Sequence, residues 1–348
     1  MSNQITSQFL GPLLEQHYAA TILVEPELLH ESRGKQSIFK VELAGGEVVT
    51  VRLCLTSRNQ AKVLSEARVL LFIKEADFPA SRLRMTIEGE LIFQWQPNCW
   101  GYVQEYIVGE HPLVPEKVGE YNPVLDLHTL AQVGHLLGRL HKLVISPAEF
   151  PPEASWLEEV PRSIERAEKA ATHPEWQLQA TEVVETLCNL PLEELKALPS
   201  ALIHTDAHEG NLIYTPDGRL HLLDWENAAL DRAIIDLALV LSWLCEWKPV
   251  AGTPVQPPEL YEFDEEYCRT FLAHYQQERP LSEAERQLLG PAMRFFTGWF
   301  AARDLERELA EPGISEGMAF MNWAFMRSVT PQWAETLTRW ATETASPL

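Results

Sequence analysis

Apolar residues recur at two different periods along this chain, and the change of period divides it. Phe9, Leu13, Leu14 and Tyr18 fall at helical spacing and predict a helix within the first thirty residues. From residue 28 the period shortens. Residues 28–31 read as a strand, and Ile38, Phe39 and Val41, a Gly45-Gly46 pair and the run 48–53 read as a β-hairpin. Val63, Ala67, Leu70 and Leu71 restore the helical period over 59–75. Leu83, Met85 and Ile87, a Glu88-Gly89-Glu90 turn and 91–93 predict a second hairpin, and 101–108 a further strand. Gly109-Glu110-His111-Pro112 then breaks the pattern. Beyond it helices dominate: 127–143, with Leu130, Val133, Leu137 and Leu140 as the buried stripe and Gly134 and Gly138 allowing close packing, then 156–171, 176–190 and most of 258–342. The pattern predicts an α+β protein with a small antiparallel-sheet lobe over 1–108 and a larger, mainly helical lobe over 109–348.

Composition narrows the partners. The chain has 348 residues, enough for two sizeable cores, and a formal net charge of −22. No block of clustered Lys and Arg offsets that charge, which argues against a nucleic-acid partner. Five cysteines, widely spaced and without a C-x-x-C pair, suggest neither a disulfide framework nor a zinc site. The first eighteen residues have no basic start and apolar core of a signal peptide, and the longest apolar stretch, 237–245, is too short for a bilayer. A cytoplasmic location without membrane contact is the expectation. Oligomeric state is not encoded in any of these features.

The chemistry concentrates in residues 202–238. His204, Asp206, His208 and Asn211 form a short polar constellation, with Asp224 at the end of an apolar run downstream. Residues 212–214 and 219–223 read as strands around Thr215-Pro216-Asp217-Gly218, where Pro second and Gly fourth suit a type I turn. Such a hairpin places Asn211 beside Asp224, with Asp206 just upstream. Two carboxylates and an amide oxygen are hard donors suited to Mg²⁺.

His204-Thr205-Asp206-Ala207-His208-Glu209-Gly210-Asn211 followed by Asp224-Trp225-Glu226 resembles the catalytic segment of the aminoglycoside phosphotransferase and choline kinase family, written H-G-D-x-x-x-x-N and D-[WF]-[DE]. The spacing from Asp206 to Asn211 also matches the catalytic loop of protein kinases. The resemblance implies a protein-kinase-like fold, Asp206 as catalytic base, Asn211 and Asp224 as Mg²⁺ ligands, and ATP as phosphoryl donor. It implies that Arg52, on the third strand and paired with Glu66 on the next helix, holds the ATP phosphates, with Arg where Lys is commoner. The segment 101–108 resembles the family's hinge, which implies that backbone groups near Glu105 and Ile107 bind the adenine edge. Ser32-Arg33-Gly34-Lys35-Gln36-Ser37 stands where a nucleotide loop is expected, although it carries one glycine and no G-x-G-x-x-G. The D-L-A triplet beginning at Asp236 implies that Asp236 accepts hydrogen bonds from the catalytic-loop backbone, with His204 supporting the same loop. Thr205 departs from the family's Gly and matters if the backbone there needs positive φ.

Three further features have a plain alternative. His141, in a G-R-L-H-K-L helix end like the family's, reads as a packed core histidine in preference to a catalytic one. Arg279-Pro280-Leu281-Ser282 with Glu285 resembles a segment of homoserine-kinase-like members, and Ser282 to Glu285 is equally a capping box. Trp299, Arg303, Trp323 and Trp333 read as core in preference to a substrate pocket. Only eleven residues separate Asp224 from Asp236, too few for the activation segment of a protein kinase, so a small-molecule acceptor is favoured. The function expected is ATP- and Mg²⁺-dependent transfer of the γ-phosphate to a hydroxyl of an amino alcohol such as homoserine or choline, or of an aminoglycoside. The alternative is a catalytically weak nucleotide-binding regulator, a pseudokinase.

Overall fold

The computed structural model describes residues 7–32, 35–112, 125–145, 155–245, 247–249 and 260–345. Arg33 and Gly34, the centre of the expected nucleotide loop, lie outside them. In chain order the elements of the first part are α1 (Ser7–Tyr18), β1 (Glu27–Ser32), β2 (Gln36–Glu42), β3 (Val48–Cys54), α2 (Gln60–Glu75), β4 (Leu83–Arg84), β5 (Phe93–Gln96) and β6 (Cys99–Glu105). There follow α3 (Leu127–His141), α4 (Val160–Ala171), α5 (Gln177–Cys188), α6 (Leu192–Lys196), β7 (Ser200–Ile203), β8 (Leu212–Tyr214), β9 (Leu220–Leu222) and β10 (Ala229–Arg232). The last are α7 (Ile234–Trp243), β11 (Trp247–Pro249), β12 (Tyr261–Phe263), α8 (Glu265–Glu278), α9 (Glu283–Ala310), α10 (Glu316–Ser328) and α11 (Pro331–Glu343).

By packing, the described residues up to His111 form one compact unit together with Asn211–Ala228, and the remainder form a second. The segment Asn211–Ala228 thus returns to the first unit from later in the chain. Two short β-bridges account for that return, Glu110 with Tyr214 and Ala80 with Leu222. The Trp225 ring adds an edge contact on Phe78 at 5.7 Å. Gly109 is obligatory at the first bridge, since a Cβ there would lie 2.2 Å from the Tyr214 carbonyl oxygen.

In the first unit an antiparallel sheet runs β1-β2-β3-β6-β4, with β5 also paired to β6. The expected hairpin over 83–93 is therefore a turn without a ladder of its own: the Gly89 amide donates to the Thr86 carbonyl at 2.9 Å, and β4 and β5 each pair with β6 instead. The central strand β3 is buried along nearly all its length. Val49, Val51 and Leu53 pack with Leu10, Leu14 and Tyr18 of α1. Strand alternation turns Thr50, Arg52 and Cys54 to the other face. Asn59 caps α2 by accepting from the Lys62 amide at 2.9 Å, and the buried face of that helix carries Glu66 among Val63, Ala67, Leu70 and Ile73.

In the second unit α3 lies against α8, and the two glycines of its stripe set the approach. A Cβ on Gly134 would meet the Phe271 carbonyl oxygen at 2.8 Å, and one on Gly138 the Tyr275 carbonyl oxygen at 2.7 Å. The long helix α9, started by the Ser282–Glu285 capping box, carries the buried aromatics Phe295, Phe296 and Phe300. Trp323 is buried, Trp333 stacks on Phe263 at 3.7 Å, and the Arg303 guanidinium lies over Phe300 at 4.1 Å. Among the described residues no helix is long and apolar enough to cross a membrane.

Candidate active site

The candidate residues fall into two groups, one in each unit. In the first unit Arg52 is 3% exposed and is the hub of an ion cluster. Its Nη1 donates to Glu66 Oε1 at 3.1 Å, and Nη1 and Nη2 both donate to Asp224 Oδ1 at 2.9 and 3.0 Å. Burial opposes the charge on Arg52, but the Tyr102 oxygen and the carboxylates of Glu66 and Asp224 outweigh it and hold the guanidinium well above its ordinary value. The expected Arg52–Glu66 pair is present, and it has company that sequence reasoning missed. Arg58 donates to Glu66 Oε2 at 2.8 Å, to Glu226 Oε2 at 2.9 Å and to Gln36 Oε1 at 2.7 Å. The Tyr102 hydroxyl donates to Glu66 Oε1 at 2.6 Å. Each Glu66 oxygen is thus claimed by a different arginine, which fixes the carboxylate in one orientation.

Local chemistry places Asp224. The turn closes as read: the Gly218 amide donates to the Thr215 carbonyl at 2.8 Å with Gly218 at φ +79°. Strands β8 and β9 pair Leu212 with Leu222, and the Leu223 amide donates to the Asn211 carbonyl at 2.8 Å. Asn211 accordingly stands beside the start of the Asp224-Trp225-Glu226 turn. Asp224 takes φ +58°, a left-handed conformation that Asp tolerates better than most residues. Trp225 is the anchor between the two acids, buried against Phe78 with its indole N–H on the Leu222 carbonyl at 3.0 Å.

Among the described residues no three or more His, Cys, Asp or Glu side chains are grouped to hold a metal ion by themselves. An amide oxygen and a carboxylate are nonetheless a fitting set for Mg²⁺, which keeps waters and phosphate oxygens for its other positions. Glu105 ends β6, pairs with Val49 and donates its amide to the Arg82 carbonyl at 2.9 Å. Ile107 lies in the irregular run beyond β6, half-buried.

In the second unit β7 pairs with β10, and the loop that follows β7 begins at His204. Asp236, fully buried in the first turn of α7, accepts from the His204 amide at 2.7 Å and the Thr205 amide at 2.6 Å. Its expected clamp on the loop backbone is present. Asp206 follows directly, with its amide on His204 Nδ1 at 3.3 Å and its side chain 31% exposed. His208 Nε2 approaches Asp206 Oδ2 at 3.8 Å, while His208 Nδ1 accepts from the Gly210 amide at 3.1 Å. His141 is a hydrogen-bonded core residue, with Nε2 on Asp236 Oδ2 at 3.0 Å and Nδ1 on the Tyr275 hydroxyl at 2.9 Å.

Thr205 does occupy the left-handed region, at φ +66°. A β-branched residue there carries a strain of about 1–2 kcal/mol that glycine avoids. Thr205→Gly is therefore expected to be more stable than Thr205→Ala by roughly 1 kcal/mol, reversing the usual order of the two residues. Paired thermal melts of the two variants check it, and equal melting temperatures would refute it.

Comparison with known proteins identifies the family and the fold. The sequence profile of the phosphotransferase enzyme family matches residues 32–281. A homoserine kinase of Caulobacter sp. (strain K31) is 31% identical over 127 residues, 34% of this chain and 35% of that protein, so the match spans about a third of the relative. Among solved structures, spectinomycin phosphotransferase in complex with ADP and spectinomycin aligns over 99% of each chain at 14% identity with a TM-score of 0.57. Amicoumacin kinase in complex with AMP-PNP and Ca²⁺ aligns over 88% of this chain and 90% of its own at 15% identity and a TM-score of 0.60. Choline kinase from Cryptosporidium parvum Iowa II aligns over 92% and 88% at 15% identity and 0.55. At these identities the likeness shows the fold, which is the α+β, protein-kinase-like one expected from the motifs.

Proposed function

The chain belongs to the phosphotransferase enzyme family, and from that premise we propose that it transfers the γ-phosphate of ATP to a hydroxyl of a small molecule, with Mg²⁺ as cofactor. Asp206 is the base that orients and deprotonates the acceptor hydroxyl. Asn211 and Asp224 are the residues that would hold Mg²⁺, which supplies charge neutralisation at the phosphates when bound. Arg52, oriented by Glu66, turns its guanidinium to the phosphate oxygens, and backbone groups at Glu105 and Ile107 meet the adenine edge. The observation that carries this reading is the loop after β7: Asp236 pins the amides of His204 and Thr205, and the next residue presents a partly exposed carboxylate. Phosphoryl transfer is mostly positioning and charge stabilisation, so a fixed base, hard metal donors and a cation are sufficient parts.

The acceptor classes that follow are an amino alcohol, such as homoserine or choline, and an aminoglycoside. One observation favours a second reading, a catalytically weak nucleotide-binding regulator: Arg52 puts two N–H groups on the very carboxylate that would hold the cation. The deciding experiment incubates the purified chain with ATP, Mg²⁺ and a panel of homoserine, choline, aminoglycosides, thiamine and amino sugars, and reads phosphorylated products by mass spectrometry. A new phosphate ester that disappears with EDTA is expected. ATP binding without any transfer would favour the regulator, and phosphorylation confined to a protein substrate would overturn the small-molecule acceptor.

A further inference from the structure

The Arg279-Pro280-Leu281-Ser282 and Glu285 segment does more than cap a helix. In the capping box only Glu285 Oε2 is used, accepting from the Ser282 amide at 2.8 Å and the Ser282 hydroxyl at 2.9 Å. Glu285 Oε1 is engaged elsewhere: Arg279 Nη2 donates to it at 2.7 Å. The same guanidinium donates through Nη1 to the Tyr275 hydroxyl at 3.1 Å. Tyr275 is fully buried, and burial pushes its phenol above its ordinary value, so the hydroxyl keeps its proton. With an Arg donating to its oxygen, that proton is directed to His141 Nδ1, 2.9 Å away. His141 then carries its own proton on Nε2, toward Asp236 Oδ2 at 3.0 Å. Donors therefore run in one direction from Arg279 to Asp236, the carboxylate that holds the His204 and Thr205 amides.

Sequence position explains why this line can form. Tyr275 and Arg279 are one turn apart at the end of α8, and His141 is the last residue of α3. The close approach at Gly134 and Gly138 brings α3 onto α8, so the imidazole reaches the phenol without a bridging water. Nothing in a capping role requires the Arg279 contact or the buried hydroxyl.

We propose that Tyr275 and Arg279, backed by Glu285, are positioning residues for Asp206: they fix the tautomer and orientation of His141, which fixes Asp236, which sets the backbone of the catalytic loop. The functional half rests on Asp206 being the base. The structural half, that this arm holds the loop, does not. A hydrogen bond inside a buried polar network of this kind stiffens every member it connects.

Tyr275→Phe removes one hydroxyl and keeps the ring. Hydrogen exchange read by mass spectrometry on peptides covering 202–208 is expected to quicken about tenfold at the His204 and Thr205 amides, with kcat for phosphoryl transfer falling about tenfold and KM for ATP unchanged within about twofold. Glu285→Gln supplies the control, since Gln at the third helical position still closes a capping box but no longer carries the charge behind Arg279. It is expected to give the same changes at about a third of the size, whereas a purely capping Glu285 would give none. Arg279→Lys is expected to recover part of what Arg279→Leu loses. Unchanged amide exchange and unchanged kcat in Tyr275→Phe, with only a lower melting temperature, would overturn the proposal. If the wild type transfers no phosphate to any acceptor, the functional reading fails, while the exchange result still decides whether the arm holds the loop.

Discussion

Asp206→Asn is expected to lower Mg²⁺-dependent phosphoryl transfer by about 10²–10⁴-fold while ATP still binds with nearly its original affinity. The expectation follows from where the residue sits. Its amide, not its carboxylate, makes the hydrogen bond to His204 Nδ1, and the loop is pinned through the two residues before it. Asn fills the same volume and keeps that backbone arrangement, so folding is preserved and the loss belongs to the chemistry. An amide cannot take up the hydroxyl proton. Product formation under saturating ATP, with calorimetry for nucleotide affinity, separates the two effects. Retained turnover would move the base to another group, and His208, 3.8 Å from Asp206 Oδ2, is the titratable neighbour to examine next. A loss in affinity equal to the loss in rate would instead place Asp206 in nucleotide binding.

The residues that could be read from the sequence are those whose neighbours in space are also neighbours in the chain. Thr215-Pro216-Asp217-Gly218 dictates its own turn, and the turn carries Asn211 to the foot of Asp224 whatever the rest of the protein does. The helix of residues 60–75 shows its buried face in its period, and Glu66, three residues after Val63 and four before Leu70, lies along that face. Arg58 could not be read in the same way. It lies in a polar Thr56-Ser57-Arg58-Asn59 loop that looks solvated, and its burial comes from Glu66 and Glu226, the latter 168 positions away. Tyr102 sits in an ordinary strand pattern and becomes part of the cluster only because β6 pairs with β3, opposite Arg52. The 83–93 segment failed for a related reason: a turn signal states that the chain reverses, not that the flanking strands pair with each other, and β6 offers both a longer partner. Thr205 is instructive in the opposite sense. The positive φ implied by the family's glycine is kept here by a β-branched residue, with Asp236 binding the two successive amides that lead into the bend.

Glu66→Leu should destabilise the first unit by about 3–5 kcal/mol, the range found when one partner of a buried ion pair is removed. The carboxylate is 3% exposed and accepts from Arg52, Arg58 and Tyr102, so leucine leaves three donors to be satisfied elsewhere. Arg52 retains Asp224 and Arg58 retains Glu226, which keeps both guanidinium groups paired and places the loss within that range rather than above it. Glu66→Gln preserves shape and some acceptor capacity and should lose about 1–3 kcal/mol. The double variant Glu66→Leu with Arg58→Leu should be more stable than the sum of its single variants predicts, because it removes a buried charge together with its counter-charge. Urea unfolding of the four proteins measures the coupling directly. Additive losses would mean that Arg58 and Glu66 contribute independently, and a loss below about 1 kcal/mol for Glu66→Leu would mean that water replaces the carboxylate at little cost. If the coupling is present, Arg58 fixes the Glu66 carboxylate in the orientation that also receives Arg52. On the proposed function Arg52 would meet phosphates from a frame that Glu66 already fixes, and its contact with Asp224 is the one that would have to change.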